Sequence, residues 1–65
     1  MNMICIKDYK GIGFLKNNHD RIGTVNIKIG NIIECDKQGY LWFKNVCFGH
    51  KDAEPGKYFK LAEEI

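Results

Sequence analysis

The side chains with the clearest potential for chemistry are those of the cysteines and histidines. Cys47 and His50 have the Cys-x-x-His spacing of half a zinc site, and Cys5 and Cys35 would complete a set of four ligands. However, the chain has no Cys-x-x-Cys pair, and Cys5 and Cys35 each alternate with apolar residues, as small hydrophobic side chains in strands do. We therefore favour three reduced core thiols over a metal site or a disulfide, and we predict no bound metal.

The spacing of the other polar residues gives no indication of catalysis. A nucleophilic thiol needs an adjacent base, but His19 and His50 both fall in predicted loops, and the acidic residues are spread along the chain. Gly11-x-Gly13 lacks the third glycine and the following helix of a dinucleotide-binding loop, so it predicts a strand bend. A core this small can hardly enclose the ~300 Å³ that small-molecule sites usually need. We predict that the protein is not an enzyme and binds no cofactor.

Aromatic side chains are the strongest functional signal in the sequence. The chain has four Phe, three Tyr and one Trp, more than so small a core needs. The run Tyr40-Leu41-Trp42-Phe43 alternates, so Leu41 and Phe43 can fill the interior while Tyr40 and Trp42 lie on the opposite face. The alternative is that Trp42 lies in the core and Phe43 is exposed. Because exposed Trp and Tyr side chains are typical of interaction hot spots, we predict a binding surface formed by Tyr9, Tyr40, Trp42 and Tyr58.

The stretch that must organise these side chains is residues 25–35. Apolar residues alternate with polar ones on both sides of Gly30-Asn31, a pair that tolerates positive φ at low cost. This pattern predicts a hairpin, with a strand before and after a tight turn. We expect the side chains on its inner face to be buried, namely Val25, Ile27, Ile33 and Cys35. Those on its outer face should be exposed, namely Asn26, Lys28 and Glu34.

The rest of the chain extends the same β pattern. It contains about five short strands with turn signals about every 8–12 residues, a spacing that is typical of small barrels and sandwiches. Residues 16–21 and 49–56 are predicted as polar loops, and residues 61–65 as a short C-terminal helical turn. We predict a single small β-barrel domain over residues 1–65.

Composition limits the classes of partner and the cellular setting. The net charge is +2, from 10 basic and 8 acidic residues, which is too small to indicate a nucleic-acid partner by itself. No apolar run approaches the ~20 residues that cross a bilayer, and we expect no signal peptide because the first residues lack a long apolar segment. With unpaired cysteines, these features predict a cytoplasmic protein that does not bind membranes.

The organising stretch resembles the central part of Src homology 3 domains. Those domains carry an apolar-x-apolar-x-x-Gly-Asp-x-apolar-x-apolar signature, here Val25-x-Ile27-x-x-Gly30-Asn31-x-Ile33-x-Cys35. Three further segments are similar to the family's first strand, its tryptophan after a glycine turn and its closing Gly-x-Phe: Ile6-Lys7-Asp8-Tyr9, Gly39-Tyr40-Leu41-Trp42 and Gly56-Lys57-Tyr58-Phe59. The chain is also similar to small barrel proteins of bacteriophages and mobile elements.

This resemblance implies a five-stranded Src-homology-3-like barrel and a non-catalytic, protein-binding role. For a phage or mobile-element protein, it implies docking on a host protein, or inhibition of it, in the host cytoplasm. The match departs from the family in its peptide groove, because Lys60 stands where the family has proline. The family's acidic first loop is also replaced here by the basic, polar residues 16–21.

Two other functions remain open from the sequence. The protein could bind single-stranded nucleic acid, with the four aromatic side chains stacking on bases and with phosphates held by Lys28, Lys44, Lys57 and Lys60. It could instead form a homo-oligomer with a structural or assembly role, because an open barrel edge can pair with a second copy. Salt dependence separates the first alternative from protein binding.

Overall fold

The computed structural model describes residues 1–64, and it is all-β apart from two short 3₁₀ helices. The strands are β1 (Asn2–Cys5), β2 (Tyr9–Leu15), β3 (Asn18–Ile27), β4 (Ile32–Cys35), β5 (Tyr40–Phe43), β6 (Val46–His50) and β7 (Phe59–Leu61). The 3₁₀ helices are Glu54–Tyr58 and Ala62–Glu64. The all-β prediction is confirmed. The second 3₁₀ helix agrees with the predicted C-terminal turn, of which Ile65 lies outside the described residues.

The strands form one antiparallel sheet in the order β3-β2-β6-β5-β4-β1-β7. This is an open sheet of seven strands, where the sequence predicted a barrel of about five. The difference arises at residues 16–21, predicted as a loop. Leu15 pairs directly with Asn18 and Phe14 with Ile22, so the polar segment is a tight turn followed by a bulged start of β3. Backbone pairing with β2 makes this segment a strand whatever its side-chain polarity, because ladder hydrogen bonds use only main-chain groups.

The predicted hairpin at residues 25–35 is wrong in its pairing, although its turn is present. The Asn31 N–H donates to the Lys28 carbonyl at 2.9 Å, and Gly30 has φ 94°, as a type II turn requires. However, β3 and β4 are not neighbours, since β4 pairs with β1 and β5. The turn bonds instead to the end of β1: the Cys5 N–H donates to the Asn31 carbonyl and the Gly30 N–H donates to the Cys5 carbonyl, each at 2.9 Å.

The alternation of side chains predicted for this stretch is confirmed on both of its strands. The four expected core residues are buried, namely Val25, Ile27, Ile33 and Cys35. The three expected outer residues are exposed, namely Asn26, Lys28 and Glu34. Side-chain direction alternates within each strand whichever neighbour it pairs with, so the prediction of faces survives the error in pairing.

The sheet curls around a single core, which explains how one layer of strands can bury apolar side chains. The core is formed by Met3, Cys5, Val25, Ile27, Ile33, Cys35, Leu41, Val46, Phe48 and Phe59. The thiol of Cys5 on β1 lies 3.8 Å from the carbonyl oxygen of Ile27 on β3, although β3 is five places away from β1 in the sheet order. The rings of Tyr9 and Phe59 approach to 6.0 Å between centroids. Strands far apart in sheet order therefore share one interior.

Candidate interaction surface

The thiols of Cys5 and Cys47 and the imidazole of His50 are held by contacts within the fold. All three cysteines are free, and no cluster of three or more potential metal ligands is found among the described residues. Burial raises the pKa of the Cys5 thiol, whose Sγ–H donates to the Lys7 carbonyl at 3.0 Å. Burial also raises the pKa of the Cys47 thiol. Both thiols are therefore protonated at neutral pH and are poor nucleophiles.

His50 fixes two turns and leaves neither ring nitrogen available for chemistry. Its Nε2 lies 2.8 Å from the Gln38 carbonyl oxygen, and its Nδ1 accepts the Asp52 backbone N–H at 3.1 Å. The neutral tautomer with hydrogen on Nε2 satisfies both contacts. Tyr40 packs edge-on against this imidazole, with ring centroids 5.1 Å apart. The arrangement ties the Asp36–Tyr40 turn to the end of β6.

Tyr9 and Tyr58, two of the four predicted site residues, lie together as the sequence predicted. Their rings meet edge to face with centroids 4.9 Å apart, and Tyr9 also contacts Phe48 at 5.2 Å. Both tyrosines are half-buried and pack against the core. Their rings therefore contribute mainly to the boundary of the interior, with Lys7 Nζ 5.4 Å from the Tyr58 centroid on the outside.

Trp42 and Tyr40, the other two, lie on the opposite face of β5 from Leu41, as the alternation predicts. Tyr40 is exposed and Trp42 is half-buried. The indole Nε1–H of Trp42 donates to Asp36 Oδ2 at 3.0 Å. Asp36 Oδ1 also accepts the backbone N–H groups of Gln38 and Tyr40, both at 2.9 Å. These bonds, that of Trp42 first, hold the pKa of Asp36 below its usual range.

The register of the sheet shows a second group of outward side chains that the sequence analysis missed. Phe14 on β2 lies opposite Ile22 on β3 and opposite Cys47 on β6. Cys47 in turn lies opposite Trp42 on β5. Directly paired residues share one face of a sheet, so these four side chains form a row across four strands. Ile12, two residues before Phe14, lies beside this row on the same face.

Three side chains of this group are large, apolar and exposed, and we call them the outer patch: Ile12, Phe14 and Ile22. Their exposed fractions are 65%, 57% and 69%. Contiguous apolar side chains at such exposure are unusual on a small soluble domain and are typical of interaction sites. The outer patch adjoins the half-buried ring of Trp42 through Cys47, so one predicted site residue lies at its border.

Glycines of the β2–β3 hairpin explain why its large side chains face outward. A Cβ placed on Gly13 would lie 1.9 Å from the Cys47 carbonyl oxygen, and one on Gly23 would lie 2.7 Å from a Val46 methyl carbon. The inner face of the β2–β3 hairpin thus has glycine where β6 crosses closely. The alternation Gly11-Ile12-Gly13-Phe14 carried this signal, because it places small residues on one face and large apolar ones on the other.

Two open hollows adjoin at the end of the molecule near the β5–β6 turn. The larger, about 800 Å³, is lined in part by Trp42, Phe43 and Asp36. The smaller, about 380 Å³, lies over the β2–β3 turn. Lys16, Lys44 and Asn45 line both. These are surface grooves rather than enclosed cavities.

Comparison with known proteins assigns no family to the chain. No protein-family model, curated protein or solved structure matches it. Among the described residues, no helix combines the length and the apolar character that crossing a bilayer would require. Functional inference therefore depends on the side chains and their geometry.

Proposed function

We propose that the protein is a non-catalytic protein-binding module that docks through the outer patch. The observation that carries this proposal is the exposure of Ile12, Phe14 and Ile22 at adjacent positions of one rigid β surface. A paired sheet holds the backbone at these positions, so little backbone entropy is lost when a partner covers them.

The size of the outer patch limits the free energy of binding that it can contribute. Full burial of a large apolar side chain contributes about 1.5–3 kcal/mol, so covering the exposed parts of three of them contributes about 3–6 kcal/mol. A micromolar complex requires about 8 kcal/mol after the cost of association. The patch must therefore act with its surroundings, and the neighbouring Trp42 ring is the side chain best placed to add contact area.

The resemblance to Src homology 3 domains supports the same functional class. Five strands, β7-β1-β4-β5-β6, are consecutive neighbours in the sheet. We propose that they correspond to the five strands of that barrel, with the β2–β3 hairpin inserted after β1. By the similarity to small phage and mobile-element proteins, we propose a cytoplasmic host protein as the partner.

Polar substitution within the outer patch tests this function. Ile12→Lys and Phe14→Ser should each reduce capture of a specific lysate protein by at least tenfold, because each removes an apolar contact from the interface. Ile29→Lys is the matched control, since Ile29 is 66% exposed but lies in the turn after β3, outside the outer patch.

Circular dichroism should show that all three variants keep the wild-type fold. Equal capture by wild type and both patch variants would overturn the proposal. So would an equal loss in the Ile29→Lys control.

A further inference from the structure

We propose that the smaller hollow, between the β2–β3 turn and the β5–β6 turn, is a phosphate-binding cleft that takes a single-stranded nucleic acid. It is lined by Leu15, three amide side chains and three cations, which are Lys16, Arg21 and Lys44. This inference goes beyond the proposed function, because the cleft and the outer patch are different surfaces. Either can fail without the other.

The two turns that form the cleft are fixed against each other. The Lys16 backbone N–H donates to the Asn45 carbonyl at 2.7 Å. Lys44 and Asn45 have φ of 49° and 68°, the left-handed pair of a two-residue type I′ hairpin turn. In the other hairpin the Asp20 N–H donates to Asn18 Oδ1 at 3.1 Å, within the bulge that precedes Ile22. The backbone positions of the three cations are thereby defined by two tied turns.

The electrostatics of the cleft favour an anion. No acidic side chain is among its lining residues, and none of its three cations forms an ion pair within the described part of the chain. Asp20, beside Arg21 in sequence, is the nearest acid along the chain. By contrast, two lysines of the earlier nucleic-acid hypothesis are already paired: Lys28 with Asp8 at 3.7 Å and Lys57 with Glu54 at 3.3 Å.

The adjoining groove indicates why the anion would belong to a single strand. Lys16, Lys44 and Asn45 line both hollows, so a chain held by its phosphates at the cleft continues into the groove walled by Trp42 and Phe43. The half-buried rings of Trp42 and Phe43 present part of their surface beside these cations, and aromatic surface beside cations is where unpaired bases stack. Two acids, Glu34 and Asp36, line the larger groove but not the cleft. The Asp36 carboxylate already accepts the indole N–H of Trp42.

The test is the salt dependence of binding to a fluorescein-labelled oligothymidine of about ten nucleotides, followed by anisotropy. Three phosphate contacts on a single strand predict a slope of about −2 for log K against log salt, and so about a 20-fold loss of affinity between 50 and 200 mM salt. Lys16→Gln and Lys44→Asn should each reduce the slope by about 0.7. Asparagine suits the positive φ of position 44, so the second variant keeps the turn.

Lys10→Gln is the matched control, because it makes the same charge change on β2, where Lys10 lines neither hollow. Its slope should equal that of wild type. Trp42 fluorescence should change with the oligonucleotide and not with inorganic phosphate. The proposal is overturned if wild type fails to bind at low salt, or if the control loses as much slope as the cleft variants. It is also overturned if a DNA duplex binds as tightly as the single strand, or if Trp42 does not respond.

Discussion

Replacing Ile33 by alanine tests the assignment of the core most directly, because its neighbour in sequence provides the control. Ile33 is 2% exposed and Ile32 is 50% exposed on the same short strand. Ile→Ala removes three carbon atoms, or about 2.4 kcal/mol at ~0.8 kcal/mol for each buried methylene. The cavity left behind raises the expected cost to about 2–5 kcal/mol.

That loss is large for a domain of this size. At roughly 0.05–0.15 kcal/mol per residue, a 65-residue chain has a free energy of unfolding of about 3–10 kcal/mol. Ile33→Ala should therefore lower the urea midpoint strongly or unfold the protein at room temperature, whereas Ile32→Ala should cost about 1 kcal/mol or less. Equal midpoints for the two variants, measured by circular dichroism, would refute the assignment of faces on β4.

Three further predictions concern single groups. Gly13→Ala should lower the melting temperature sharply, because its Cβ would lie 1.9 Å from the Cys47 carbonyl oxygen. The Trp42 indole and backbone donors lower the pKa of Asp36. The stabilisation by its ionised carboxylate is therefore complete above the ordinary carboxyl pKa, and it is lost as the pH falls through the lowered pKa of the folded state. Trp42 fluorescence should therefore shift below about pH 4 in wild type and not in Asp36→Asn. A thiol reagent should label half-buried Cys47 before buried Cys5, with three thiols reacting per denatured chain.

The face of each residue was predictable around the organising stretch, but its strand partner was not. Alternation of side chains is a property of each strand by itself, so it can be predicted from local sequence, as at Val25 and Ile27 on β3 and at Ile33 on β4. Pairing depends on which distant strand meets each edge, and β4 meets β1 and β5 although β3 precedes it in sequence. The turn at Gly30 was read correctly, since positive φ is a local requirement. A turn signal does not show that the two strands it joins are neighbours.

The candidate site was predictable only in part, for a related reason. The aromatic signal led to Tyr9 and Tyr58, which the structure does bring together, and to Trp42, at the border of the outer patch. Ile12 and Phe14 were not among the predicted site residues. Their exposure depends on β6 crossing close to Gly13, a contact between segments more than thirty residues apart, which no local pattern specifies.

The β2–β3 hairpin connects the two proposed surfaces. Its outer face carries the outer patch. Its turn carries Lys16, and the bulge at the start of β3 carries Arg21. The bulge interrupts the regular edge of β3 just before Ile22, and bulges protect exposed edges against pairing with a second copy. Edge-to-edge self-assembly is therefore disfavoured at the start of this strand. A protein on the outer patch would leave the turns open, but both surfaces adjoin Trp42, so only one ligand can cover that ring at a time.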